Sequence, residues 1–211
     1  MNFYLYYYYG AMKGQIRNKK DDKEDLRWVR KAKRGNQKAF EKLVFKYQRR
    51  VYFTVRKMVM NHNDSDDIVQ DTFVKAYVNL HQFDEQFPFY PWLHRIAINT
   101  TINHQGRSFR RKEIFTIDGE EEYIQAKSNN ENPLKELIHG ELEEHVALAM
   151  EKLPFDQRTV FVLRTSEGLS YQEIGQQLNI SLGTVMSRLS RAREKLKDLL
   201  QPYLIDKDIG G

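Results

Sequence analysis

Trp92, Arg95, Asn99 and Asn103 are spaced so that about one helical turn separates each from the next. An indole, a guanidinium and two amides on one face suit unstacked nucleic-acid bases. The π-face replaces lost stacking, and the polar groups tell one base edge from another. Asparagine is a poor residue inside a helix, because its side chain competes for the backbone. Two of them on one face need a reason beyond helicity. The loop ahead, residues 82–90, carries Phe83, Phe87, Phe89 and Tyr90. The competing reading is that Trp92 and the phenylalanines are core, and it is expected to hold for about half of these aromatics, since large rings are commonly buried. Beyond the face, Arg107, Arg110, Arg111 and Lys112 form a basic cluster suited to phosphates.

Residues 170–199 hold a different chemistry. Ser170 followed by Glu173 is a capping box, and it opens a short helix to Leu178. Asn179, Ile180 and Ser181 make a turn, and Ser181 can cap a second helix. In that helix Leu182, Val185, Leu189, Ala192, Leu196 and Leu199 recur at the helical period. Thr184, Ser187, Arg191, Lys195 and Asp198 fall opposite. Small hydroxyls near a helix N-terminus, with arginines behind them, suit entry into a DNA major groove. A surface helix pair of a bundle has the same pattern.

A third face is acidic. Asp67, Gln70, Asp71 and Lys75 lie across a helix from Val69, Phe73, Ala76, Tyr77 and Leu80. This face serves solubility or docks a basic partner helix.

Catalytic signatures are missing, and the chain is expected not to be an enzyme. The histidines (62, 81, 94, 104, 139, 145) are scattered, and His139 and His145 do not have the spacing of a zinc pair. There is no glycine-rich phosphate loop and no serine elbow. No metal and no cofactor are expected. The absence of cysteine excludes disulfides and fits a cytoplasmic location. The aromatic run from Phe3 to Tyr9 is too short to span a bilayer and lacks a basic start, so no membrane insertion is expected. With 211 residues and a net charge of +5, the basic bias is mild, and its distribution must carry the argument.

The elements that position these faces are helices. One is expected over 19–34, ending at Gly35, and a long one from 37 to 60 capped by Asn36. A third is expected over 65–80. A fourth starts at Pro91, where proline is welcome. From Asp118 the charge reverses into an acidic, turn-rich stretch that reads as a linker. No trustworthy period-two pattern appears, so the fold class is all-α, with two small helical domains. The expected division is a disordered or mis-started extension over 1–21 and a first domain over 22–113. A linker follows over 114–133, then a helix-turn-helix domain over 134–202 and a tail over 203–211.

Two stretches of the chain form a pair. One is Asp66-Asp-Ile-Val-Gln-Asp-Thr-Phe-Val-Lys-Ala-Tyr77 followed by Phe89-Tyr-Pro-Trp-Leu-His-Arg-Ile-Ala-Ile-Asn-Thr100. The other is Leu153-Pro-Phe-Asp-Gln-Arg158, then Glu167-Gly-Leu-Ser-Tyr-Gln-Glu-Ile174, then Gly183-Thr-Val-Met-Ser-Arg-Leu-Ser-Arg-Ala-Arg193. Together they resemble bacterial RNA polymerase sigma factors of the sigma-70 family, extracytoplasmic-function group. The resemblance covers about 26–200 and implies region 2 in the first domain and region 4 in the second. It implies that Asp67, Gln70, Asp71 and Lys75 bind the β′ clamp helices of core RNA polymerase, with the β flap as a further contact. It implies that Phe83, Phe89, Tyr90, Trp92, Arg95, Asn99 and Asn103 hold the melted strand of the −10 element. Thr184, Ser187, Arg188, Arg191 and Lys195 then face the duplex −35 element. Promoter DNA and core polymerase are the implied partners, and an anti-sigma factor is a further one. Met186 departs from the family, where many relatives carry lysine or arginine, and Ser190 stands where some carry an aromatic. The competing reading is a free-standing helix-turn-helix regulator with an N-terminal sensor or dimerisation module. The aromatic-and-asparagine helix argues against it, because a dimer interface needs no such face.

Overall fold

The computed structural model describes residues 19–117 and 141–205, with side chains over 21–107 and 145–203. These residues form two units, and each is a set of helices with no strand among the described residues.

In the first unit, α1 (Lys19–Lys33) carries Asp21 and Asp22 in its first turn and Arg30, Lys31 and Lys33 in its last, which matches the helix dipole. The chain reverses at Gly35, whose φ of +86° favours a residue without a Cβ. Asn36 then caps α2 (Gln37–Val59), accepting a 3.0 Å hydrogen bond from the Ala39 amide. Met60 closes α2 in the left-handed region, and its amide donates to the Arg56 carbonyl. Asn61 caps α3 (His62–Val78) by accepting from the Asp64 amide. This corrects the expected start at Ser65: the polar run 61–64 is a cap and first turn, not a break. A single 3-10 turn, Leu80–Gln82, leads into the aromatic loop. α4 (Phe89–Ile117) begins two residues before Pro91. Proline is accepted there because amides of the first turn have no partner inside the helix. α4 also runs past 113, so the expected linker starts late, and from 118 it lies outside the described residues.

The core of this unit comes from every helix. Val29, Leu43, Val51, Val55, Met58, Ile68, Phe89, Leu93 and Ile98 are fully buried. The expected stripe of α3 needs correction. Ile68 and Thr72 are buried, whereas Tyr77 is 42% exposed and packs edge-on against Phe40 at 4.9 Å. One buried acid ties α1 to α2: Asp25 accepts from Lys46 Nζ at 2.6 Å and from the Tyr47 hydroxyl. Burial pushes the Asp25 carboxyl above its ordinary 3.8, against the pull of Lys46 and Tyr47.

The second unit has α5 (Glu141–Glu151), α6 (Phe155–Thr165), α7 (Tyr171–Leu178) and α8 (Leu182–Ile205). Residues 134–140, expected as the start of this domain, lie outside the described residues. α8 passes through Pro202, beyond its expected end. The core is Met150, Leu153, Val160, Leu163, Ile174, Val185, Leu189 and Ala192. Arg158 is buried at 8% exposure, and its Nη1 donates to the carbonyls of Met150, Glu151 and Leu153. It satisfies the open end of α5 and fixes the turn into α6.

Two predictions follow from these buried charges. A raised folded-state pKa means that Asp25 contributes stability fully below about 3.8 and loses it as pH rises through the folded value. The unfolding free energy of the wild type relative to Asp25→Asn should therefore fall across that window. A flat difference would show an unshifted carboxyl. Arg158→Met keeps the stem but strips three carbonyls of their donor, at a cost of about 2–3 kcal/mol. Amide hydrogen exchange at α5 in the full chain should speed up accordingly, and unchanged protection would contradict the clamp.

Candidate nucleic-acid and polymerase interfaces

The aromatic loop is pinned at both ends. Lys33 Nζ donates to the Phe83 carbonyl at 2.7 Å and reaches Glu85 at 3.2 Å, while Arg30 pairs with Glu85 at 2.7 Å. Hydrogen bonds from Arg30, then Lys33, hold the Glu85 carboxyl below its ordinary pKa. Phe83 and Phe89 are 3% and 0% exposed. A ring with no open face cannot stack a base, so these two leave the expected platform and join the core. Their rings lie 5.7 Å apart, and Trp92 packs on both, 5.2 Å from Phe83 and 5.6 Å from Phe89.

What remains of the platform is open. Trp92 and Tyr90 are half-buried, and Phe87 is 62% exposed. Arg95, Asn99 and Asn103 are exposed along the outer side of α4, while Leu93, Ala97 and Thr101 face inward. The Tyr90 ring lies 5.3 Å from Tyr47, and the Arg50 guanidinium sits 3.6 Å from its centre. Arg50 was not singled out in the sequence, because nothing in the spacing linked residue 50 to residue 90. Arg107 is exposed at the end of this face. Arg110, Arg111 and Lys112 continue the helix, but their side chains lie outside the described residues.

On α3, Asp67, Gln70 and Asp71 are exposed as expected. Lys75 is not part of that surface: it is half-buried and donates to Thr100 Oγ1 of α4 at 3.3 Å. In its place Val74 (57% exposed) and Val78 (64% exposed) continue the Asp67–Asp71 stripe at helical spacing. A shallow apolar groove of about 580 Å³ runs beside them between α2 and α3, lined by Phe40, Val44, Val69, Phe73 and Tyr77. The signal in the sequence was the pair of valines at helical spacing from Asp71, on a side read as wholly polar.

The α7–turn–α8 unit is built by caps. Ser170 Oγ accepts from the Glu173 amide at 3.2 Å, and the Ser170 amide donates to Glu173 at 2.7 Å, which lowers the Glu173 pKa. Asn179 takes the left-handed turn at φ 54°. A Cβ on Gly175 would meet the Ile180 carbonyl at 3.0 Å, a tight contact that the turn would have to relax by a few tenths of an ångström to accept. Ser181 caps α8, accepting from the Thr184 amide at 3.1 Å and pairing with its hydroxyl. Of the five residues expected to face duplex DNA, Ser187, Arg191 and Lys195 are exposed. Thr184 is held by the cap. Arg188 is half-buried and pairs with Asp156 of α6 at 3.1 Å. Both already have partners within the fold, so either would exchange one to meet DNA. Leu182, expected in the apolar stripe, is 47% exposed.

Comparison with known proteins decides the family. The description "Sigma-70 region 2" matches residues 43–111, and "Sigma-70, region 4" matches residues 144–196. The RNA polymerase sigma-H factor of Pseudomonas aeruginosa is 37% identical over 185 residues, covering 86% of this chain and 96% of that protein. This chain belongs to the sigma-70 family. The ECF RNA polymerase sigma-E factor of Haemophilus influenzae is 36% identical, covering 85% of this chain and 97% of that protein. Among solved structures, a co-crystal of the sigma factor RpoE with the anti-sigma factor NepR from Bartonella quintana matches with a TM-score of 0.58 and 25% identity, over 78% of this chain and 98% of that one. The sigma factor is thus an extracytoplasmic-function type, a transcription initiation factor that binds core RNA polymerase and directs it to promoters. No helix among the described residues is long and apolar enough to cross a membrane.

Burial makes a plain prediction here. Phe89→Ala should cost about 3–5 kcal/mol of stability, as large core aromatics do. Phe87→Ala, at an exposed site, should stay within about 0.5 kcal/mol. Thermal unfolding of the two variants checks this, and equal losses would mean that the loop packs differently.

Proposed function

We propose that the outer face of α4 opens the promoter and holds the melted −10 strand. Trp92 and Tyr90 offer π-surface, and Arg95, Asn99 and Asn103 offer donors and acceptors for base edges. Arg107, with Arg110, Arg111 and Lys112 beyond it, supplies cations for the backbone. The observation that carries this reading is the exposure of Arg95, Asn99 and Asn103 on the α4 side away from the core, beside two half-buried rings. Each stacked base contributes roughly 1–3 kcal/mol, which offsets the few kcal/mol needed to unstack and flip it. On the second unit, Ser187, Arg191 and Lys195 of α8 meet the −35 duplex. The domains act as region 2 and region 4 in that order, and the protein works in the cytoplasm without catalysing a reaction of its own.

Core polymerase docks on Asp67, Gln70 and Asp71 of α3, with Val74 and Val78 as the apolar part of the same stripe. An anti-sigma factor that competes for this stripe is a second partner, in line with the complex of the Bartonella protein.

Two measurements test these assignments. Arg95→Ala and Asn99→Ala change exposed side chains and should leave thermal unfolding within about 0.5 kcal/mol. With core polymerase, both should lose permanganate reactivity of promoter thymines on duplex template and recover at least part of their activity on a pre-melted bubble. Normal opening by both variants would leave this face as plain surface. Asp71→Arg should abolish co-purification with core polymerase while the helical circular dichroism stays intact. Retained co-purification would move the docking site elsewhere.

A further inference from the structure

The N-terminal half of α8 presents two large apolar side chains to solvent. Leu182 is 47% exposed and Met186 53% exposed. They stand one turn apart, so they share one flank of the helix. The core stripe beside them, Val185, Leu189 and Ala192, is fully packed and does not need them. The helix is closed at this end by Ser181, whose hydroxyl caps it and whose carbonyl accepts from the Val185 amide at 3.0 Å.

Charge identifies what this end meets. From Leu182 to Arg193 the sequence holds three arginines and no carboxylate; of the three, Arg188 is paired with Asp156 of α6, while Arg191 and Arg193 are exposed. That suits a polyanion, and residues at the N-terminal end of a recognition helix are those that reach base edges. Neither Leu182 nor Met186 carries a strong hydrogen-bonding group, since a thioether accepts only weakly. Set against N7, O6 or an amino group, they would take that group from water and leave it unpaired, which is costly. The major groove has one apolar feature, the C5-methyl of thymine. An unbranched thioether adapts its shape to such a contact.

We infer that Met186, supported by Leu182, reads a thymine methyl group in the −35 duplex, and is a specificity residue of this sigma factor. This rests on the reading that α8 enters the −35 element. Recognition at that base pair is by apolar contact, while Arg191 and Lys195 hold the neighbouring backbone.

The test removes one methyl at a time. Holoenzyme formed from the full chain and core polymerase first selects its −35 element from a promoter library. Each thymine of that element is then replaced by deoxyuridine, which keeps every hydrogen bond and deletes only the methyl. For the wild type, at least one replacement should weaken promoter binding roughly fourfold, the scale of one buried methyl. Met186→Ala should lose sensitivity to that replacement, and Met186→Leu should regain it, whereas a purely structural role would not track a methyl on the DNA. Suppose that scrambling the −35 element abolishes binding but no deoxyuridine matters, or that the selected element has no A·T pair. The duplex reading then stands and the Met186 assignment falls. An undiminished methyl effect in Met186→Ala also overturns it, since another residue then reads the methyl. If scrambling the −35 element changes nothing, the duplex reading fails, and the inference fails with it.

Discussion

The first unit depends on the burial of Phe89. Its ring has no exposed surface and lies within 6 Å of Tyr47, Phe83 and Trp92. That cluster fixes where α4 begins, and the starting point sets which residues of a 3.6-residue helix face out. Shift the start by one residue and every side chain rotates by about 100°. Arg95, Asn99 and Asn103 would then turn toward the flank of the domain. The aromatics of the loop thus do two jobs: some anchor the helix, and others remain at its edge. The ion pairs of Glu85 with Arg30 and Lys33 add little energy at a partly exposed site, but they hold the loop in one register against α1.

The second unit reaches a similar end by different means. It has no aromatic cluster of this kind among its described residues, and its turns are held by polar groups. Ser170 with Glu173, Asn179, Ser181 and Arg158 each satisfy backbone groups that a helix end leaves open. Each such cap contributes on the order of 1 kcal/mol. In a unit of short helices they sum to a large share of a typical net stability of 5–15 kcal/mol. Gly175 adds a steric condition, since a side chain there would press on the Ile180 carbonyl of the turn.

Helix type, the capping box, and the Asn36 and Ser181 caps were legible in the sequence because they are local, whereas the Asn61 cap reads there as a break. A cap needs only residues within one turn of each other. The polar faces on α3 and α4 were legible for the same reason, through helical spacing. What sequence could not supply were contacts between distant residues. Period alone left Phe83 and Phe89 as candidates for the platform, and packing decided otherwise: Phe89 lies against Tyr47, and Phe83 against Phe89 and Trp92. The stripe of α3 was set too near Tyr77, because the direction that faces α2 and α4 depends on both neighbours. Lys75 and Arg188 look like surface cations until Thr100 and Asp156 are seen across from them.

The arginines show why a mild net charge said so little. Arg158 is buried among carbonyls, Arg50 lies against Tyr90, and Arg188 pairs with Asp156. Arg95, Arg107 and Arg191 are exposed. All six count equally toward +5, yet an arginine committed to a carboxylate or a carbonyl releases no counterion from DNA unless it first gives up that partner. The salt dependence of DNA binding is set by the number of phosphates neutralised, not by the net charge of the chain. The Arg50 stack is the intermediate case. A cation over a ring contributes about 0.5–2 kcal/mol, and a base stacked on the same ring roughly 1–3 kcal/mol. The two are close enough that Tyr90 can be held in place before DNA arrives without being closed to it. The same balance does not extend to Phe83 and Phe89: both rings are buried against each other and Trp92, and the Lys33 ammonium over Phe83 is itself tied to the Phe83 carbonyl and Glu85. Preorganisation and availability therefore fall on different residues of one loop.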